Sequence, residues 1–185
     1  MFHPASRARV ALRHEGRTAA GGGFAMKILG IDPGSQVLGY GVLEALPGGP
    51  QSSTSGTLRP APGLDLCDRL LLIHRDLERL LALHRPQVVA VETAFYHKNA
   101  RSTLILGHVR GVVLLAARQA GLDVAEYAPR EVKMAVTGHG DAAKEQVAFM
   151  VRRLLSLTET PVADAADALA VAICHWHRSR LRVLV

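Results

Sequence analysis

Four acidic residues, distant from one another along the chain, have the types and spacing to do chemistry together. Asp32 closes the apolar run Ile28-Leu29-Gly30-Ile31 and is followed by Pro33-Gly34-Ser35, turn chemistry that ends a strand. Glu92 closes a second compact run, Gln87-Val88-Val89-Ala90-Val91, suited to a buried parallel strand. Asp164 and Asp167 lie in Ala163-Asp164-Ala165-Ala166-Asp167-Ala168, where a spacing of three puts both carboxylates on one helical face. Each acid has a plainer reading when taken alone. Asp32 suits a turn aspartate bonding its own backbone, and Asp164 suits a helix cap or first-turn acid favoured by the dipole. Convergence would change that balance. Clustered carboxylates repel, and unpaired ones hold their protons to higher pH. A divalent cation removes that penalty, and an all-oxygen donor set selects Mg²⁺ or Mn²⁺ over Zn²⁺. Two such ions about 4 Å apart can activate a water and stabilise the leaving oxygen in phosphodiester hydrolysis.

The elements between these acids must bring them together. Lys27 to Glu44 reads as strand, tight turn and returning strand, with Gly39 and Gly41 leaving the second strand's backbone bare. Gln51 to Leu58, rich in Ser and Thr, fits a third antiparallel strand at a sheet edge. Leu64 to His84 repeats apolar residues at helical spacing and stops at Pro86. After the strand ending at Glu92 come a polar loop, a long helix over Ser102 to Gln119 and a short strand over Leu122 to Tyr127. A helix from Pro129 to about Val136, another from Ala142 to Leu155 and a last one from Ala163 to about Trp176 complete the chain. His175, His177 and Arg178 would then complement the C-terminal dipole of that last helix. A meander followed by alternating strands and helices gives an α/β fold with a mixed sheet, antiparallel at one edge and parallel at the other. If the first and fourth strands are parallel neighbours, Asp32 and Glu92 leave the sheet at the same edge.

Composition narrows the class. A chain of 185 residues with 49% hydrophobic content is most simply one globular domain. No apolar run is expected to reach the length that crosses a bilayer, which points away from a membrane partner. Cys67 and Cys174 lack metal or redox spacing, and a buried, reduced pair in the cytoplasm is the default. The net charge is +6, but Arg7, Arg9, Arg13 and Arg17 against Glu15 alone supply about half of it. Overall charge is thus a weak pointer to nucleic acid. Residues 1–25, ending in Gly21-Gly22-Gly23, are expected to be a disordered extension, with an upstream start and Met26 as the natural first residue as one account of it. The folded unit is expected over 26–178, with a short tail over 179–185.

Local clustering carries the nucleic-acid argument further. Phe95-Tyr96-His97-Lys98-Asn99-Ala100-Arg101 follows Glu92 directly, in a chain with four Phe, three Tyr and one Trp. An adjacent aromatic pair in a polar loop either folds back to complete the core or stacks on bases, with basic neighbours on phosphates. Lys133 and Lys144 read first as solvated helix lysines. Lys144, just after Gly138-His139-Gly140 and near a helix start, also sits where anions bind.

In order along the chain, Gly30-Ile31-Asp32-Pro33-Gly34-Ser35, Gly39-Tyr40-Gly41, Glu92 with Phe95, Lys98-Asn99, Gly107 with Arg110-Gly111, Glu126-Tyr127, Val132-Lys133, Gly138 and Gly140, Lys144 and Ala163 to Ala170 resemble the RuvC family of bacterial Holliday junction resolvases. The resemblance spans about Met26 to His177, and several blocks in order are far more specific than any one. It implies a ribonuclease-H-like fold, a mixed five-stranded sheet flanked by helices. It implies that Asp32, Glu92, Asp164 and Asp167 are catalytic metal-binding carboxylates holding two Mg²⁺ (or Mn²⁺) ions, with Lys144 assisting catalysis. Phe95, Tyr96, Lys98, Asn99, Arg101, Lys133 and Lys144 are the DNA-contact candidates. It further implies a homodimer that nicks a four-way junction symmetrically in recombination and repair, in the cytoplasm, alongside the RuvA–RuvB branch-migration complex. Thr93 and Arg101 depart from residues common at those positions. The alternative is a ribonuclease-H-like nuclease for another branched DNA or for RNA. Asp32-Pro33-Gly34 is also similar to the phosphate loops of actin-like ATPases, but those need two such domains and this chain is short for that.

Overall fold

The computed structural model describes residues 26–34, 36–93 and 99–183, with the side chains of 181–183 left aside. Residues 1–25 and the DNA-contact candidates Phe95, Tyr96 and Lys98 lie outside the described residues. Three strands come first: β1 (Met26–Asp32), β2 (Leu38–Leu46) and β3 (Gly49–Leu58). Helix α1 (Leu66–His84) leads to β4 (Val88–Glu92), and α2 (Ala100–Gln119) leads to β5 (Asp123–Tyr127). Three helices follow: α3 (Pro129–Thr137), α4 (Lys144–Leu154) and α5 (Ala163–Val183).

The sheet order is β3-β2-β1-β4-β5. β1 pairs antiparallel with β2 and parallel with β4, β2 pairs antiparallel with β3, and β4 pairs parallel with β5. The expected mixed sheet is therefore present, with β1 at the centre.

Side chains alternate across a strand, so each face collects every second residue. Leu29, Ile31, Val89 and Val91 point to one face and pack with Ile73, Leu77, Val109 and Val113 of α1 and α2. Ile28, Val88, Ala90 and Tyr127 point to the other and pack with α3, α4 and α5 through Val132, Val147, Val151, Leu169 and Ile173. Asp32 and Glu92 fall in the second set by the same alternation. Both therefore project toward α5.

Helix α5 lies on that face unusually closely because the sheet beneath it is bare. A Cβ at Gly30 would land on the Ala168 carbonyl oxygen, one at Gly39 on the Asp164 carbonyl, and one at Gly41 on the Leu169 side chain. These glycines lower the sheet surface where the helix backbone crosses it. Small residues on the helix side, Ala165, Ala166, Ala168 and Ala172, are buried at the contact.

Three expectations are corrected. Cys174 is buried, but Cys67 is exposed, because it lies in the first turn of α1 ahead of that helix's buried stretch from Ile73. Helix α5 runs to Val183, not to about Trp176. His175 is consequently mid-helix, where its Nδ1 lies 2.8 Å from the Tyr127 hydroxyl, and Arg178 pairs with Glu131 of α3. These side chains tie α5 to its neighbours and do not cap its end. Helix α2, in turn, is long and apolar enough by length and composition to cross a membrane. Its run from Leu104 to Ala117 is broken by one charge, Arg110, which the sequence reading underweighted. Its buried face, Val109, Val113, Ala116 and Ala117, belongs to the core beneath the sheet.

Candidate active site

Strand register places the first two acids. Ile31 pairs with Val91 across β1 and β4, so Asp32 and Glu92 follow as adjacent strand-end residues. Asp32 also faces Gly39 across β2, and the N-terminal turn of α5 rests over Gly39. Asp164 and Asp167 thus arrive over the sheet edge from which Asp32 and Glu92 emerge.

Electrostatics report the same gathering. The Asp32 carboxyl is pushed up to about 6, first by burial and then by the charges of Asp167 and Asp164, with Lys144 pulling it back. Glu92 is pushed up to about 7, again chiefly by burial, then by Asp32 and Asp167, with Lys144 and Lys133 opposing. Asp32 and Asp167 both act on Glu92, and Asp167 and Asp164 both act on Asp32, through a region of low screening.

Cations offset part of that repulsion. Lys144, first residue of α4, places its Nζ 3.2 Å from Asp167 Oδ2. The Asp167 charge and this hydrogen bond hold the ammonium above its ordinary range. Its helix begins with the Ala143 N–H donating to Gln146 Oε1, which fixes the entry of the chain. Arg59, directly after β3, lies with Nη2 3.8 Å from Asp164 Oδ2. Sequence reasoning missed Arg59, because its place depends on where the end of the edge strand meets α5.

Among the described residues, no three His, Cys, Asp or Glu side chains are drawn together into a finished ligand cage. Lys144 pairs with Asp167 and Arg59 with Asp164, above the sheet edge where Asp32 and Glu92 end their strands. The donor set nonetheless fits divalent cations. It is all carboxylate oxygen, and two of its members, Asp32 and Glu92, are pushed up by burial and then by their acidic neighbours, a penalty that a bound cation would relieve.

The remaining candidates are placed as follows. Lys133 on α3 is within electrostatic reach of Glu92. Asn99 accepts from the Arg101 N–H at 2.9 Å and is the N-cap of α2, so its Oδ1 is committed to the helix start. Arg101 is exposed in the first turn of the same helix.

Comparison with known proteins gives the family. The family model for crossover junction endodeoxyribonuclease RuvC matches residues 28–175. The chain is 55% identical over 163 residues to the crossover junction endodeoxyribonuclease RuvC of Acidobacterium capsulatum, a match covering 84% of this chain and 95% of the relative. It superposes on the Thermus thermophilus RuvC structure with a TM-score of 0.78 at 37% identity, covering 85% of this chain and 97% of that one. It also matches Thermus thermophilus RuvC in complex with Holliday junction substrate, with a TM-score of 0.76 at 36% identity over 84% of this chain and 96% of that one. A ribonuclease-H-like sheet carrying facing acids at one edge, together with these matches along nearly the whole described chain, shows that the protein belongs to the RuvC family of crossover junction endodeoxyribonucleases.

Proposed function

We propose that the chain is a divalent-metal-dependent resolvase that cuts four-way DNA junctions by paired, symmetric nicks. The observation that carries this reading is the ending of adjacent strands at Asp32 and Glu92 beneath the first turns of α5, which bear Asp164 and Asp167, with the first two carboxyls held at raised pKa. The Thermus thermophilus relative seen with a Holliday junction supports the substrate. In this reading the four acids hold two Mg²⁺ ions, with Mn²⁺ as a substitute. When bound, such ions activate the attacking water and stabilise the leaving oxygen. Lys144 stands beside Asp167, where its ammonium would neutralise charge building on the phosphate. Lys133, near Glu92, adds positive potential on the same side. Phe95 and Tyr96 stack on opened bases at the crossover, while Lys98, Arg101 and the Asn99 amide nitrogen contact the backbone.

The folded nuclease unit begins at 26 and takes in α5 to Val183, past the expected limit at 178, and the 1–25 extension precedes it. A twofold junction suits a homodimer. The exposed face of α2 supports this: Leu104 and Leu115 are 65% and 53% exposed, and between them Gly107 and Gly111 leave open space above the helix. Family resemblance adds a cytoplasmic setting and cooperation with RuvA–RuvB.

The direct test compares a synthetic four-way junction with a linear duplex, in Mg²⁺ or EDTA, for wild type and Asp32→Asn. Paired nicks restricted to the junction, dependent on Mg²⁺ and reduced at least about a thousandfold in Asp32→Asn, are expected. Equal cutting of duplex or of RNA, or cutting in EDTA, would overturn the proposal.

A further inference from the structure

Arg59 has two neighbours that make different demands on it. Toward α5 it meets Asp164 at 3.8 Å. Toward its own strand its Nε donates to Thr57 Oγ1 at 3.2 Å, which steadies the inner part of the side chain. The same residue lines a cavity of about 380 Å³ formed by Gln36 and Val37 of the turn after β1, Pro60 and Gly63 of the β3–α1 link, and Arg69 of α1. Arg69 donates from Nη2 to the Leu64 carbonyl at 3.2 Å, so its side chain is anchored along the link. Two arginine side chains therefore border one depression adjoining the acid cluster, whose floor is otherwise largely apolar, Val37 and Pro60-Ala61-Pro62.

The ion pair to Asp164 is weak by its geometry. It is longer than a charge-assisted hydrogen bond, and both side chains are more than a third exposed. A guanidinium meeting a phosphate can make two parallel hydrogen bonds and is the stronger partner. Asp164, for its part, is one of the acids on which metal binding is read to depend.

Building on that reading, we propose that Arg59 is an exchangeable partner: paired with Asp164 in the DNA-free chain, it passes to a backbone phosphate of the bound strand seated in the Arg59–Arg69 cavity, and so releases Asp164 to the metal. DNA and metal then bind with positive coupling, and the coupling is reciprocal. Arg59 is a positioning residue here, acting through Asp164 and through the substrate backbone.

The test uses the full chain. Mn²⁺ is titrated calorimetrically into wild type, Arg59→Gln and Arg59→Lys without DNA. Binding of a labelled four-way junction is measured in EDTA over a salt series. Arg59→Gln is expected to bind Mn²⁺ roughly two- to fivefold more tightly without DNA, because a competitor for Asp164 is gone. It should bind the junction roughly three- to tenfold more weakly, with a salt slope smaller by about one. Arg59→Lys should retain part of the junction affinity, which also reports that the site is folded. Unchanged or weaker Mn²⁺ binding in Arg59→Gln, or an unchanged junction affinity and slope, overturns the inference while leaving the resolvase reading intact. Failure of wild type itself to bind Mn²⁺ or junction overturns both.

Discussion

Asp32 and Glu92 are carboxyls that the folded chain keeps protonated to about pH 6 and about pH 7. Both values lie above those of the unfolded chain, so the folded state binds more protons between about pH 4 and pH 7. Metal-free stability should therefore fall as pH rises through that window, the reverse of an ion-paired acid. Asp32→Asn removes one repelling charge and should raise the metal-free melting temperature at pH 7.5 while abolishing cleavage. Calorimetry in EDTA, beside a nicking assay, checks this, and a lower melting temperature would contradict it. Cleavage at limiting Mg²⁺ should rise from about pH 5.5 and level off above about pH 7.5, because protons compete with the cation for the same oxygens. The four acids were legible in the sequence because each closes a strand or opens a helix, positions that topology alone can align. Arg59 was not, since no pattern near it announces that the end of β3 meets the start of α5.

Gly30, Gly39 and Gly41 determine how near α5 lies to β1 and β2, and hence how near two acids lie to the other two. Gly30→Val would force the Ala168 backbone away from the sheet. A loss of about 1–3 kcal/mol in denaturant unfolding is expected from the overpacking. Cleavage should suffer more than the lost stability accounts for at temperatures where the variant is fully folded, because the displaced helix carries Asp164 and Asp167. Wild-type activity in a folded Gly30→Val chain would refute the role. The sheet order was readable from β-branched runs and turn residues. The length of α5 was not, because Ser179, Arg180 and Arg182 look like a polar tail until the pairing of Arg178 with Glu131 shows that helix continuing along α3. The bare glycines at Gly39 and Gly41 were visible, but only the packed helix shows what they admit.

The molecule as a whole presents one sheet edge carrying the four acids and, on the opposite layer, the exposed stripe of α2. Leu104→Asp with Leu115→Asp should shift the chain to monomer in sedimentation equilibrium without loss of secondary structure. Junction nicks should then lose their pairing, one strand being cut without its mate. A dimer that survives both substitutions would place the twofold contact elsewhere. The net charge of +6 is a poor guide at this level, since half of it belongs to residues 1–25 and acids dominate the site.

A helix resting on naked main chain has no compressible side-chain cushion beneath it. Thermal agitation cannot loosen the acids from one another by rotamer hopping, as it would in a site propped on long aliphatic groups. The catalytic edge and the hydrophobic interior should accordingly melt as one cooperative unit. Amide protons of β1 and of the buried stretch Ala168 to Ile173 of α5 would then exchange with solvent only through global opening, making endurance of the site and endurance of the fold a single quantity.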